Sequence, residues 1–239
     1  MSKTFLITGA NRGIGFEMTR QVAKTGNYVI ACSRKIDEAY GLMALAKTNP
    51  MISLLDLDVT AENKMKKVAS SINHKIDILI CNAGILNSYG GLEDELHDSN
   101  AIQDVLMTNV AGVFFTIRSF LPNLTKTDTS SGNLSNLKGK IAVISSIMGS
   151  QEKVGSTAPI YRASKAAATN LARSTAIELA PRGIAVGAYH PGWVRTDMGG
   201  SKATVSPEES AAGLLRRFDQ LDLSNTGIFE TYNGERIPF

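Results

Sequence analysis

Short runs of apolar and β-branched residues alternate along this chain with longer stretches of helical spacing, and that rhythm admits few folds. The strand-like runs fall at residues 4–8, 28–32, 52–55, 76–81, 141–145, 184–189 and 227–231. Between them the spacing predicts helices over residues 15–25, 37–47 and 61–72, a pair covering 101–124, then 160–180 and 207–218. A strand followed by a helix before the next strand builds a βαβ unit, hence a mostly parallel sheet covered by helices. Right-handed crossovers then wind the sheet in both directions. The expected fold is α/β: a doubly wound, mostly parallel seven-stranded sheet with helices on both faces. Length alone leaves one large or two small domains open for 239 residues. Seven strands of one sheet use the whole chain, so residues 1–239 are read as a single domain.

Several function classes fall away on composition. A net charge of +3 with scattered basic residues gives no footprint for nucleic acid. Cys32 and Cys81 sit inside strand-like runs and are expected to be reduced core thiols. His74, His97 and His190 are too dispersed to suggest a metal site, and no Gly-x-Ser-x-Gly elbow marks a hydrolase. No apolar segment is expected to approach the ~20 residues that span a bilayer, and Met-Ser-Lys-Thr runs directly into the first strand. A cytoplasmic protein with no membrane partner is the expectation. Residues 125–139, rich in Thr, Ser, Asn and Gly, read as a mobile surface loop. Sequons at Asn123 and Asn133 have no meaning without a secretory route.

The first strand runs into Thr8-Gly9-Ala10-Asn11-Arg12-Gly13-Ile14-Gly15 and then a helix. A glycine-rich turn that opens a helix suits a pyrophosphate: missing Cβ atoms allow close approach, and the helix N-terminus offers free N–H groups and a positive dipole end. The Gly-x-x-x-Gly-x-Gly spacing lacks the Gly-Lys-Ser/Thr ending of a nucleoside triphosphatase loop. A plain strand-to-helix turn is the competing reading. The second strand ends in Ala31-Cys32-Ser33-Arg34. An acid there would favour NAD through the ribose 2′-hydroxyl; a neutral residue beside an Arg accommodates the 2′-phosphate of NADP. Ser33 stands in the acid's place. Arg34 follows it, and Arg12 is expected to reach the same phosphate from the other side. Each arginine alone also fits a solvated surface charge.

Tyr161-Arg-Ala-Ser-Lys165 opens a predicted helix, and a spacing of four puts both side chains on one face. An ammonium beside a phenol favours phenolate and would draw its pKa from ~10 towards neutrality. Such a phenol can exchange a proton with a developing alkoxide. Tyr and Lys at this spacing also occur by chance. Upstream, the fifth strand ends in Ser145-Ser146-Ile147-Met148-Gly149, at the edge where ligands of such sheets bind. A hydroxyl there would meet a substrate carbonyl, or bond only its local backbone.

Taken in order, Thr8 to Gly15, Asp58-Val59, Asn82-Ala83-Gly84, Asn109, Ser146, Tyr161 with Lys165, and Pro191-Gly192 resemble the short-chain dehydrogenase/reductase family in its compact single-domain form. The resemblance covers nearly the whole chain and implies a Rossmann domain that binds NADP(H). It makes Tyr161 the general acid/base. Lys165 would lower the Tyr161 pKa and bind the nicotinamide ribose. Ser146, rather than Ser145, would stabilise the substrate oxygen. Asn109 would hold a helix bend and a water leading from Lys165 to solvent. Gly9, Asn11, Arg12, Gly13, Ile14 and Gly15 would cradle the cofactor, with Ser33 and Arg34 at its 2′-phosphate. Asp58 and the Val59 backbone would meet the adenine, and Asn82, Ala83 and Gly84 the adenosine half. Pro191, Gly192, Val194 and Thr196 would cover the nicotinamide.

Departures mark out a branch. Cys81 stands where relatives often carry Asn, and is expected to pack in the core and leave Asn82 its role. The interval from Ser146 to Tyr161 is slightly long, so residues 149–159 are expected to shape the pocket. The short run from Met198 to Pro207 implies a small lid and an open site. The C-terminal run from Gly227 to Phe239 lacks Val-Asp-Gly-Gly and is similar to the carbonyl-reductase-like and C-factor-like branch. Trp193 would pack over the cofactor or fill the interior, and His190 would face the site or serve structure. Small residues at 163–170 suit close helix packing, and the resemblance implies a homodimer or homotetramer. The reading is an NADP(H)-dependent oxidoreductase that reduces a ketone or aldehyde, with a small-molecule carbonyl or alcohol as its partner. A C-factor-like signalling protein and an NAD-linked alcohol dehydrogenase are the alternatives.

Overall fold

A computed structural model describes residues 2–125 and 137–239. Residues 126–136 of the expected mobile loop, with the Asn133 sequon, lie outside the described residues. Seven strands form one sheet: β1 (Thr4–Thr8), β2 (Tyr28–Ser33), β3 (Ile52–Asp56), β4 (Ile78–Cys81), β5 (Gly139–Ile144), β6 (Ile184–His190) and β7 (Phe229–Thr231). Their order is β3-β2-β1-β4-β5-β6-β7, and every neighbouring pair is parallel. The chain order reverses between β1 and β4, so loops diverge there and open a crevice at the carboxyl edge.

Alternation along the strands divides the core in two. Leu6, Ile30, Cys32, Leu79, Cys81, Ile141 and Val143 face α3 (Glu62–Ser71), α5 (Gly112–Leu124) and α6 (Pro159–Leu179). Phe5, Ile7, Val29, Ala31, Ile78 and Ile80 face α1 (Gly13–Lys24), α2 (Tyr40–Thr48) and α7 (Pro207–Gln220). Both faces being covered is why the strands read as continuous apolar runs. Cys32 and Cys81 are free thiols buried in this core, and burial pushes Cys81 up to about 12.

Two expectations change at the long central helix. The predicted pair over residues 101–124 is one continuous helical stretch: α4 (Ser99–Leu106), a π-turn at Met107–Ala111, and α5. Asp98 caps its start by accepting from the Ala101 N–H at 2.8 Å. Ser99–Leu124 has 26 residues and holds an 18-residue window of mean hydropathy 1.4, so it is long and apolar enough to cross a membrane by length and composition. The expectation that no segment approaches that length is therefore corrected. The physical reason for its apolarity here is packing: Val113, Ile117, Phe120 and Leu124 are buried against the sheet. Gly112 lets the helix close on Val59, whose Cγ2 would lie 2.8 Å from any Cβ at that position.

Within the small-residue run 163–170, Ser164, Lys165, Ala168 and Thr169 are buried by this chain itself. Gly149 shows why small residues are needed: a Cβ there would meet the Lys165 carbonyl carbon at 2.6 Å and the Ala166 nitrogen at 2.8 Å.

Candidate active site

The glycine turn is built for close backbone approach. Gly9 and Gly13 hold φ of 65° and 56°, which a side chain would strain. A Cβ at Gly15 would collide with the Gly9 carbonyl oxygen and lie 2.6 Å from Asn82 Nδ2. The turn is fastened from β4. Asn82 Nδ2 donates to the Thr8 and Gly9 carbonyls at 2.9 and 3.1 Å, and Thr8 Oγ1 accepts from the Asn82 and Ala83 N–H groups at 3.0 and 3.1 Å. Asn82 therefore spends its amide on holding the glycine turn. Asn11 and Ile14 flank the start of α1, whose N-cap residue, Arg12, is extended and supplies no side-chain cap. The first N–H groups of α1 are left facing the crevice edge, a fit for a phosphate.

Arg12 does not converge on Arg34. Its guanidinium donates instead to Asp197 at 2.8 Å, in an exposed ion pair with the segment after β6. Arg34 is exposed and makes no hydrogen bond or ion pair with any described residue. Ser33 is buried at the end of β2. Its register partner is the exposed Asp56, a carboxylate that sequence reading overlooked because only pairing brings β3 beside β2. Asp58 Oδ1 accepts from the Thr60 N–H and hydroxyl at 2.9 and 2.8 Å, turning the chain into α3. Val59 buries its side chain in the core.

Three of the expected catalytic residues meet at the carboxyl edge of β5. Ser145 turns away: its hydroxyl donates to the Lys165 carbonyl at 3.1 Å and lies 2.6 Å from Thr169 Oγ1, docking α6. Ser146 Oγ accepts from the Met148 N–H at 3.1 Å, the local backbone bond that the sequence also allowed, and lies near enough to the Tyr161 phenol to lower its pKa in part. Lys165 Nζ donates to the Ile144 carbonyl at 2.8 Å and lies 5.6 Å from the centre of the Tyr161 ring. Gly84 leaves room beside it; a Cβ there would stand 3.3 Å from both Lys165 Nζ and Asn109 Oδ1. Asn109 is wholly buried in the π-turn. It accepts from the Ile85 N–H at 2.8 Å and donates to the Ile85 carbonyl at 2.9 Å and to Ser164 Oγ at 3.0 Å. Ser164 in turn donates to the Tyr161 carbonyl at 2.8 Å, linking the π-turn to the first turn of α6.

The electrostatics correct one expectation. Lys165 does not draw the Tyr161 phenol down. Burial raises its pKa, the neighbouring Tyr89 adds to the rise, and the Ser146 hydrogen bond offsets only part. Desolvation outweighs a cation held 5.6 Å from the ring centre. The same burial depresses Lys165 to about 8, and its ammonium has no carboxylate partner among the described residues. His190, at the end of β6, is pushed down to about 4 by burial and so is held neutral.

After β6 the chain returns to the crevice. Gly192 takes φ of 87°, and a Cβ there would stand 3.0 Å from the Tyr232 ring. Ser210 of α7 donates to the Pro191 carbonyl at 2.6 Å. Val194 is buried and bridges to Val205. Thr196 faces the glycine turn, with its methyl 3.2 Å from a Cβ at Gly13. Trp193 does not fill the interior: it is half exposed, and its Nε1 donates to the Gly199 carbonyl at 2.8 Å. Sequence reading assigned no role of their own to Thr8, Ile85 and Ser164, whose contacts run across the fold with no local signature.

The sequence model of the short chain dehydrogenase family matches residues 3–206. An uncharacterised oxidoreductase of Schizosaccharomyces pombe is 30% identical over 263 aligned residues, taking in 100% of this chain and 98% of that one. Among solved structures, the carbonyl reductase Sniffer of D. melanogaster is similar with a TM-score of 0.90 at 27% identity, both chains being covered in full. The NADPH-bound carbonyl reductase from chicken fatty liver gives a TM-score of 0.88 at 30% identity, over 100% of this chain and 99% of that one. A match that takes in most of the chain, on the sheet described above, leaves one conclusion: this chain belongs to the short-chain dehydrogenase/reductase family of oxidoreductases.

Proposed function

We propose that this oxidoreductase uses NADP(H) to reduce a ketone or aldehyde to an alcohol. The observation that carries the reading is the Ser146–Tyr161–Lys165 group at the carboxyl edge, with the phenol held protonated by burial. A phenol that keeps its proton at neutral pH is in the state needed to donate it to a developing alkoxide. The reaction is reversible, and in the oxidative direction the same phenol oxygen takes the proton back from the alcohol.

The bound nicotinamide supplies the hydride. The chain's own residues do the rest. Ser146 and Tyr161 orient the substrate oxygen by hydrogen bonds, and Tyr161 Oη passes its proton to that oxygen as charge builds there. Lys165 presents a positive charge beneath the Tyr161 ring and stabilises the phenolate that is left. Asn109, tied to Ile85 and Ser164, holds the π-turn that keeps α6 in register with the crevice. Gly9, Gly13 and Gly15 admit a pyrophosphate to the N-terminus of α1. The absence of an acid at Ser33 and the unpaired Arg34 favour a 2′-phosphate. Arg12 joins Arg34 by leaving Asp197, a small loss because exposed ion pairs are worth about 0–1 kcal/mol.

The test is Tyr161→Phe, with NADPH binding followed by Trp193 fluorescence. Carbonyl turnover should fall by about 10²–10⁴-fold, while NADPH affinity stays within about two-fold. Unchanged turnover would remove Tyr161 from the mechanism. Folded protein that binds neither NADPH nor NADH would overturn the proposed chemistry.

A further inference from the structure

Tyr89 stands on the loop between β4 and α4, with no part in the chemistry derived above. Its hydroxyl donates to the Met198 carbonyl at 3.2 Å, a contact between loops 109 residues apart in sequence. One loop follows β4 and the other follows β6, so the bond bridges the carboxyl end of β5, which lies between them and leads into Ser146. The phenol of Tyr89 is near enough to Tyr161 to add to its raised pKa.

The loop that carries Tyr89 is braced throughout. Ser88 Oγ bonds Asp94 and accepts from the Gly90 N–H at 2.9 Å. Asn87 Nδ2 donates to the Leu96 carbonyl at 2.8 Å, and the Gly90 carbonyl accepts from the Ala158 N–H at 2.9 Å. Ala158 is buried and held at φ 50°, an unfavourable conformation for a residue with a Cβ, three positions before Tyr161. The loop is thus pinned to the start of the catalytic helix, and the Tyr89 ring has a set place.

What surrounds the ring points to the kind of molecule that passes it. Tyr89 is 50% exposed, Trp193 51%, Leu92 92% and Val154 86%, all on the three loops at this edge of the sheet. Such a concentration of exposed apolar side chains marks a ligand approach. Arg162, in the first turn of α6, donates to the Thr157 and Lys153 carbonyls, and Arg195 to those of Ala203 and Thr204, while Lys153 and Lys202 of the same loops are exposed.

We propose that Tyr89 is a specificity-determining residue, a bar fixed across the mouth by its bond to Met198, which admits slim carbonyl compounds and rejects those with bulk on both sides of the carbonyl. The inference rests on the carbonyl-reductase reading of the site.

The experiment compares kcat/KM for hexanal and for cyclohexyl phenyl ketone in the wild type, Tyr89→Ala and Tyr89→Phe, with NADPH affinity measured alongside. Removing the ring should raise the ketone-to-hexanal ratio about ten-fold or more, since pocket bulk discriminates on that scale. Tyr89→Phe, which keeps the ring and loses the bond to Met198, should give a smaller rise in the same direction and also covers the case in which the alanine variant fails to fold. NADPH affinity should be unmoved in both. A ratio unchanged in both variants, with hexanal still reduced, would overturn the role of Tyr89 and leave the site reading standing. If no protein reduced either compound while NADPH still bound, both readings would fall.

Discussion

Lys165→Met should make the ligand-free protein more stable and nearly inactive. The Lys165 side chain is 4% exposed, and its ammonium has one hydrogen-bond acceptor, the Ile144 carbonyl, and no carboxylate partner among the described residues. A buried charge without a counter-ion is a net cost. The fall of its pKa from 10.5 to about 8 puts that cost at about 3 kcal/mol. Methionine matches the length and helix propensity of lysine and forfeits a hydrogen bond worth about 1 kcal/mol. The net gain is about 2 kcal/mol, which for a chain of this size is about 4–8 °C in Tm. The sign with pH follows from linkage. Between pH 8 and 10.5 the unfolded chain holds more protons at Lys165 than the folded one, so wild-type stability rises with pH across that window. The advantage of the variant is therefore full below about pH 8 and fades towards zero by about pH 10. Thermal melts of both proteins by circular dichroism at pH 7 and pH 10 would show it. A variant that melts lower at pH 7, or a gain that persists undiminished at pH 10, would refute the argument.

Three further perturbations test the cofactor side. Gly15→Ala drives a methyl into the Gly9 carbonyl, which is pinned by Asn82, and should cost about 1–3 kcal/mol in urea denaturation; a loss below about 0.5 kcal/mol would mean the turn yields. Ser33→Asp combined with Arg34→Ala puts a carboxylate where the 2′-phosphate is proposed and should move the NADPH-to-NADH affinity ratio towards NADH by about ten-fold or more; no movement would place the 2′-phosphate elsewhere. Asp197→Asn releases Arg12 and should tighten NADPH binding by at most about five-fold, an effect lost in high salt; weaker NADPH binding would argue that the ion pair assists the cofactor.

The sheet was legible in the sequence because parallel strands covered on both faces are short continuous apolar runs, and their periodicity is local. β1 falls where the runs place it, and the other strands differ at their ends by a residue or two, since strand ends depend on which neighbour continues the ladder. The glycine turn at Gly9, Gly13 and Gly15, the end of β2 at Ser33 and the shared helix of Tyr161 and Lys165 were legible for the same reason: a turn, a strand end and one helical turn are each written within a few residues. What only the tertiary structure decided are relations between distant segments. The sequence has no means of saying that Arg12 takes Asp197, that Asn82 spends its amide on the Thr8 and Gly9 carbonyls, or that Asn109 sits in a π-turn of one unbroken helix. Electrostatics belongs to the same class. An ammonium four residues along a helix predicts a lowered phenol pKa, yet burial raises it, because desolvation depends on everything packed around Tyr161 and the Coulomb effect on one distance. The local placement of neighbouring side chains is determined by the sequence alone; charge state and the shape of the mouth await the packing that brings remote loops together.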